Sequence, residues 1–477
     1  MKKIWITTTL FFVFIFVAWY AVIKVGKKHV SANKPPGSII TPIAPSKTHA
    51  RYWAKNGENI MLLGGSDEDN LFQMGDVQNQ LDLLKSVGGN YVRNTMSSRD
   101  RGNLWAFGKN VEGLYDLNTW DDGYWTRLDE FLNACEAREI IVQLELWATF
   151  DFYREYWEIN PFNPKNNINY TAERSHLPLE VPSHPTWTEN SFFWSIPSQE
   201  NNLIVLGYQQ KFIDKILSYT LKYHNVLYCM DNETSVTSEW GRFWSAYIKQ
   251  VAHEQGKQIF TTEMWDPWNL DHVVHRETLD HPEVYEFGDI SQNNHNSGDR
   301  HWENGIAQIA RLKKNGHLRP LNNVKVYGND GGRHQTTQNA IESFVRNVLL
   351  GAASTRFHRP TSGQGLNETA QSIIASTRSY VDSADFFNAQ PANDLLLDRA
   401  SDEAYCRAIK NQEYAIFFPK GGQVSLDIEV KIKDISIRWI DLQKSEWSES
   451  RAEINKSNKI IVKSPEGRNW LAFIKLN

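Results

Sequence analysis

From residue 59 onward, eight short apolar runs alternate with longer amphipathic stretches, and this alternation restricts the chain more than any other feature. The runs are NIMLLGG (59–65), NYVRNT (90–95), IIVQLELW (140–147), NVLYCM (225–230), QIFTTEMW (258–265), VYEFGDIS (284–291), NVKVYG (323–328) and AASTRFH (352–358). Between them, segments 77–88, 125–139, 206–224 and 239–256 carry apolar residues at i, i+3, i+4 spacing, which predicts helices with one buried stripe. Gly88 and Gly256 supply stops. Strand–helix units in series predict a parallel sheet, and eight of them predict a (β/α)8 TIM barrel over residues 51–388. An open, doubly wound sheet is the alternative. No GxGxxG follows the first run, which argues against a dinucleotide site.

Two regions fall outside this alternation. Residues 148–205 are rich in Asn, Pro, Trp and Phe and have little period. A connection of that length after the third strand predicts a loop that walls an active site, because barrel sites lie at strand C-termini. Residues 389–477 show short alternating strands separated by Gly, Asn and Ser turns, which predict a small all-β sandwich.

At the N-terminus, Lys2 and Lys3 precede an uncharged run from Ile4 to Ile23, and Lys24, Lys27 and Lys28 follow it. That run is long enough to span a bilayer, so residues 1–28 are expected to be a signal anchor or a signal peptide. Residues 29–50, rich in Pro, Ser and small residues, are expected to be a linker. The catalytic part is then exported, periplasmic or at the cell surface, and touches the membrane only through its N-terminal segment.

A net charge of −5 argues against nucleic acid as a partner. The three cysteines, Cys135, Cys229 and Cys406, form no CxxC and no disulfide framework. The 14 histidines include no HExxH and no standard zinc spacing, so no metal and no cofactor is expected. GxSxG is absent, which argues against a nucleophile-elbow serine hydrolase. Aromatic residues make up 12% of the chain, enough for a large core and for stacking on the flat faces of sugar rings.

Polar residues crowd the ends of the predicted strands. Arg93 ends the second and Glu145 the third. Asp231, Asn232 and Glu233 end the fourth, and Glu263 the fifth. Asn294 and His295 follow the sixth, Asn329 and Asp330 end the seventh, and His358 and Arg359 end the eighth. A ring of such groups at one rim fits hydrolysis of a glycosidic bond, which needs two flanking carboxyl groups. Glu233 is the first candidate. For the second, Asp330 leads and Glu263 follows, although Asp330 in GNDGG could simply form a turn and Glu263 could orient the nucleophile. Arg93, Asn232, Glu263, Asn294, His295 and His358 are expected to bind substrate. Trp147, Trp265 and Trp268 lie near strand ends and are candidates for stacking on sugar, with Trp147 and Trp265 foremost. Trp240 and Trp244, four apart on a helix, are expected in the core.

These motifs resemble a large clan of barrel glycosidases whose acid/base follows an Asn on strand four and whose nucleophile ends strand seven. The resemblance is carried by Arg93 in GGNYVRNT, by YCMDNE ending at Glu233, and by KVYGND ending at Asp330. The C-terminal run from LLLDRASDEAYCRAIK to SPEGRNWLAFIKLN resembles the collagen-binding-type domain that closes apiosidase-like glycosidases. The likeness covers roughly residues 50–477 and implies a retaining hydrolase, with Glu233 as acid/base and Asp330 as nucleophile. The clan usually carries Glu where this chain has Asp330. A shorter side chain there leaves open an inverting hydrolase with Asp330 as base, or a glycan-binding surface protein without turnover.

Overall fold

The structure is a computed structural model describing residues 41–183, 190–428, 435–455, 457 and 459–476. The Ile4–Ile23 run lies outside the described residues. Among the described residues no helix is long and apolar enough to cross a membrane.

Eight parallel strands form the barrel: β1 Leu62–Gly65, β2 Tyr91–Thr95, β3 Ile141–Trp147, β4 Val226–Asp231, β5 Thr261–Thr262, β6 Gly288–Asp289, β7 Leu321–Asn322 and β8 Ser354–Phe357. Parallel pairing runs β5–β4–β3–β2–β1–β8, and β6 pairs with β7. Ala353 N donates to Leu321 O and Val326 N to Arg356 O, each at 2.8 Å, which joins β7 to β8. At the β5–β6 seam side chains bridge the strands: Thr261 N donates to Glu286 Oε2 and Thr261 Oγ1 to Val284 O.

Among the described residues seven long helices follow the strands: α1 Val77–Ser86, α2 Asp122–Ala137, α3 Leu203–Thr220, α4 Ser238–Glu254, α5 Gly298–Lys314, α6 Thr337–Leu350 and α7 Glu368–Ser383. After β5 there is only a short helix, Arg276–Leu279. Side chains at Asp121, Asn202 and Asn367 cap α2, α3 and α7, and Thr336 with Asn339 forms a capping box on α6.

The period-two alternation of the strands explains both the core and the site. Val142, Leu144, Leu146, Tyr228 and Met230 face outward and join the helices in the main core. Ile141, Leu227, Leu62 and Tyr91 face the lumen, where Trp53 closes the bottom and donates from Nε1 to Asn322 Oδ1. Trp53 belongs to an antiparallel sheet of Ala44–Pro45, Trp53–Lys55 and Glu58–Ile60. The last part of the segment expected to be linker is thus folded against the barrel, with Ile43 N donating to His224 O. Polarity rises along the lumen. Above the apolar floor, Tyr91 OH and Asn322 Nδ2 both donate to Gln143 Oε1. One layer higher, Arg93 Nε donates to Glu145 Oε1.

The sandwich has a six-stranded and a four-stranded antiparallel sheet. The larger sheet contains β9 Gln390–Pro391, β11 Tyr405–Ile409, β12 Glu413–Phe418, β14 Ser436–Asp441, β15 Glu446–Arg451 and β18 Trp470–Lys475. The smaller contains β10 Leu396–Leu397, β13 Gln423–Leu426, β16 Glu453–Ile454 and β17 Ile460–Lys463. Tyr414, Ile416, Phe418, Ala472 and Ile474 point between the two sheets. Ala415, Phe417, Leu471 and Phe473, on the opposite face, pack into the barrel's core. Both faces of the central strands β12 and β18 are therefore buried, at roughly 1.5–3 kcal/mol for each large apolar side chain withdrawn from water. Arg407 pins the contact by donating to Tyr52 OH, Leu349 O and Phe386 O. All three cysteines are buried and free.

Candidate active site

At the C-terminal ends of the strands, two adjoining pockets of about 440 and 330 Å³ form one groove. Phe150, Tyr153 and Arg154 from the loop after β3, Glu233 from the loop after β4, and Tyr327, Arg333 and His334 beyond β7 line both pockets. The long third loop therefore walls the groove, as its length predicts.

Glu233 sits at the divide. Strand β4 ends at Asp231, and two residues later Glu233 adopts φ 55°, a left-handed conformation uncommon outside glycine. Such backbone is held only where the surroundings enforce it. Its Oε1 accepts from Lys325 Nζ at 2.5 Å and from Tyr327 OH at 3.0 Å. Lys325 Nζ also donates to Asn232 Oδ1 at 2.5 Å. Burial opposes the charge on Glu233, but Lys325, Arg93 and the Tyr327 phenol outweigh it and hold the carboxyl well below its usual range. Burial and the Glu233 charge raise the Tyr327 hydroxyl well above its ordinary range, so it stays a donor.

Beneath the larger pocket, Arg93 lies between Asp69 and Glu145, 2.6 Å from each. Burial opposes the Asp69 charge, but Arg93, His358 and Arg359 keep it ionised. His358 Nε2 lies 3.3 Å from Asp69 Oδ1, and His358 Nδ1 is hydrogen-bonded to Ser362 Oγ at 2.6 Å. Burial lowers the His358 pKa well below its ordinary value.

The smaller pocket holds a second carboxyl group, Asp266. Its backbone N donates to Thr234 O, which brings it beside Glu233. Burial, together with the Glu233 charge, raises Asp266 to about 6. His295 lines the same pocket, stacked on Trp268 at 3.9 Å with Tyr327 4.4 Å away. Burial lowers His295 to about 4, so it is neutral at pH 7. Trp268 is 49% exposed and presents its indole to the groove.

Of the residues singled out in the sequence, Arg93, Asn232, Glu233, His295, His358, Arg359 and Trp268 line this groove. Five of the candidates for catalysis, substrate binding or stacking lie elsewhere. Asp330 is exposed at φ 68° in the Gly-rich loop, and its Oδ1 accepts from Thr337 Oγ1 (2.6 Å) and N at the start of α6. It takes the turn-forming role, because GNDGG reverses the chain before the helix. Glu263 is buried below the groove, where its Oε1 accepts from the backbone N of Asp231 and Met264. A Cβ on Gly241 would sit 2.2 Å from Glu263 Oε2, so only glycine lets α4 approach it. Burial and the nearby Asp231 raise Glu263 well above the usual carboxylate range. Asn294 is buried, donating to Asn323 Oδ1 and Lys325 O. Trp147 lies 1% exposed among Phe192, Phe212, Trp240 and Trp244, so it is core rather than a sugar platform. Trp265 is buried, its Nε1 donating to Thr278 Oγ1. Trp240 and Trp244 are core, as their helical spacing predicts.

Sequence reasoning missed Asp69, Asp266, Lys325 and Tyr327. Asp266 lies three residues past Glu263 in TEMWDPW, and Lys325 and Tyr327 stand inside the run read as a strand. Their alternate spacing, facing the lumen, was the available signal for the last two. Among the described residues no group of three or more His, Cys, Asp or Glu is placed to hold a metal.

No family model and no curated protein matches this chain. Solved structures do. One described as a glycoside hydrolase aligns with a TM-score of 0.60 at 10% identity, over 92% of this chain and 97% of its own. A glycoside hydrolase family 5 structure from Bacteroides vulgatus ATCC 8482 aligns with a TM-score of 0.60 at 11% identity, over 91% and 93%. Identities this low establish a shared fold, and it extends over nearly the whole of both chains.

Proposed function

We propose that the protein is a glycoside hydrolase that cleaves O-glycosidic bonds of a poly- or oligosaccharide held in this groove, with Glu233 and Asp266 as its carboxyl pair. The observation that carries the proposal is their opposite electrostatic setting within one pocket. Lys325 keeps Glu233 charged, while burial raises Asp266 to about 6. Environments that push two carboxyl pKa values apart separate an acid from a base. Asp266 would protonate the departing glycosidic oxygen. Glu233 would either attack the anomeric carbon or take a proton from the water that does. The motif resemblance gives Glu233 the acid/base role instead, but its ion pair favours the charged role. The fold shared with glycoside hydrolases and the apiosidase-like motifs support the reaction class. The uncharged run after Lys2 and Lys3 supports an exported, membrane-anchored location.

The test uses the full chain on a panel of aryl glycosides and polysaccharides, beside Glu233→Gln and Asp266→Asn. Release of reducing sugar should fall roughly 10²–10⁴-fold in each variant. Near-normal turnover in Glu233→Gln or Asp266→Asn would remove that residue from the pair. Proton NMR of the first-formed anomer distinguishes retention from inversion.

A second reading is a glycan-binding protein without turnover. It is favoured by the Glu233 Oε1 atom, which already accepts from both Lys325 and Tyr327. It predicts glycan binding with no release by the wild type.

A further inference from the structure

We infer that the glycan is anionic, and that Arg154 and Arg333 form the receptor for a carboxylate or sulfate on its sugar rings. The inference rests on the groove being a carbohydrate site.

The two arginines come from opposite sides of the barrel rim. Arg154 follows β3, and Arg333 lies in the loop between β7 and α6. Both line both pockets, so the two residues border the groove along its length. The other groove cations have carboxylates beside them. Arg93 has Asp69 and Glu145, Arg99 has Asp151, Lys325 has Glu233, and Arg359 has Asp69 and Asp100. Arg154 and Arg333 have none among the described residues. Arg154 stands over the Tyr153 ring at 5.4 Å, and Arg333 Nε donates to His334 Nε2 at 3.1 Å. Glu155, the carboxylate beside Arg154 in the lining, makes no ion pair among the described residues. The chain as a whole carries −5, so two unpaired cations at the mouth of its groove run against its overall charge.

Neutral sugars offer hydroxyl groups, which need no unpaired charge. A uronate carboxylate or a sulfate ester offers a planar or tripodal set of oxygens that a guanidinium fork meets with two hydrogen bonds. The contact of Arg154 with Tyr153 is one of a cation over a ring and needs none of the N–H donors that such an oxyanion would take.

The experiment measures binding and reducing-sugar release by the full chain on polygalacturonate (carboxylate) and carrageenan (sulfate), each beside its neutral counterpart, carboxyl-reduced or desulfated. The wild type should bind at least one charged polymer at least tenfold more tightly than its neutral form, and salt should narrow the gap. Which polymer wins identifies the oxyanion. Arg154→Ala and Arg333→Ala should each cost roughly tenfold in affinity for the charged form. Their melting temperatures should match the wild type, since both side chains are exposed. Equal affinity for charged and neutral forms, failure to bind either charged polymer, or affinity unmoved in the double variant overturns the inference. Arginine-dependent binding without release from any glycan leaves the inference standing and removes the hydrolase assignment. Release from neutral glycans that is indifferent to both substitutions does the reverse.

Discussion

Lys325 Nζ lies 2.5 Å from Glu233 Oε1, and this ion pair sets the charge state of the carboxyl group at the divide of the groove. The lysine side chain is 1% exposed and the glutamate 14%. Two charges so poorly hydrated hold each other in place, and Asn232 accepts a further hydrogen bond from the same ammonium. Where the motif resemblance leads one to expect a second carboxylate from the seventh strand, the barrel presents a cation. The strand-four carboxylate is consequently fixed in its charged form.

Lys325→Met should therefore destabilise the protein by roughly 3 kcal/mol near pH 7, because it leaves Glu233 buried without its cation. The pH dependence has a definite sign. A carboxyl held below its ordinary value contributes stability that is present above that value and lost as pH falls through the folded one. The gap between wild type and variant should therefore narrow as pH drops below about 4. Denaturant melts at pH 7 and at acid pH measure it. Equal stability at pH 7 would show that the ion pair does not form in solution.

Asp266 behaves in the opposite sense. Its carboxyl is raised to about 6, so it carries a proton below that pH and loses it above. If it is the acid, kcat/KM should fall as pH rises through about 6, and Asp266→Asn should remove that limb together with most of the rate. Its contribution to stability is complete below the ordinary Asp value and is lost as pH rises through about 6. Asp266→Asn should therefore be at least as stable as the wild type at pH 8. An alkaline limb that persists in the variant belongs to another group.

The barrel was legible because its evidence is repetitive. Eight apolar runs and the helical stripes between them repeat one physical demand, and no single misjudged boundary disturbs the sum. β5, β6 and β7 emerged much shorter than the runs that announced them. Around β5 and β6 the seam is closed by Thr261 and Glu286 side chains rather than by a backbone ladder. The site was legible only in part. Arg93, Asn232, Glu233, His295 and His358 were visible as polar residues at strand ends. A strand end does not reveal depth, and Glu263 and Asn294 sit below the rim. Nor does it separate a turn from a rim, and Asp330 lies in a turn outside the groove lining. Asp266 was hidden because its position depends on the hydrogen bond from its backbone N to Thr234 O, a contact between neighbouring loops that no period encodes.

Asp330→Asn tests the turn assignment. Asparagine accepts the same hydrogen bonds from Thr337 and tolerates the left-handed backbone, so stability should change by less than about 1 kcal/mol. Turnover should stay within about twofold, because the residue lies outside the groove lining. Loss of most of the rate with folding intact would restore Asp330 as the second carboxylate and displace Asp266.

The two tryptophans nearest the question of sugar stacking should separate cleanly. Trp147→Ala removes the centre of an aromatic cluster and should cost roughly 3–5 kcal/mol, seen as a large drop in melting temperature. Trp268→Ala removes an indole that is half exposed and, among the described residues, stacked on no ring but His295, so stability should change by about 0.5 kcal/mol or less. Its effect should appear in binding. Loss of one aromatic platform should weaken glycan affinity roughly tenfold, while His295, freed from its stacking partner, becomes better hydrated and titrates closer to its ordinary value. Calorimetric binding and a histidine NMR titration read the two effects separately. Unchanged affinity in Trp268→Ala would mean that the sugar runs along the Tyr153 and Phe150 side of the groove instead.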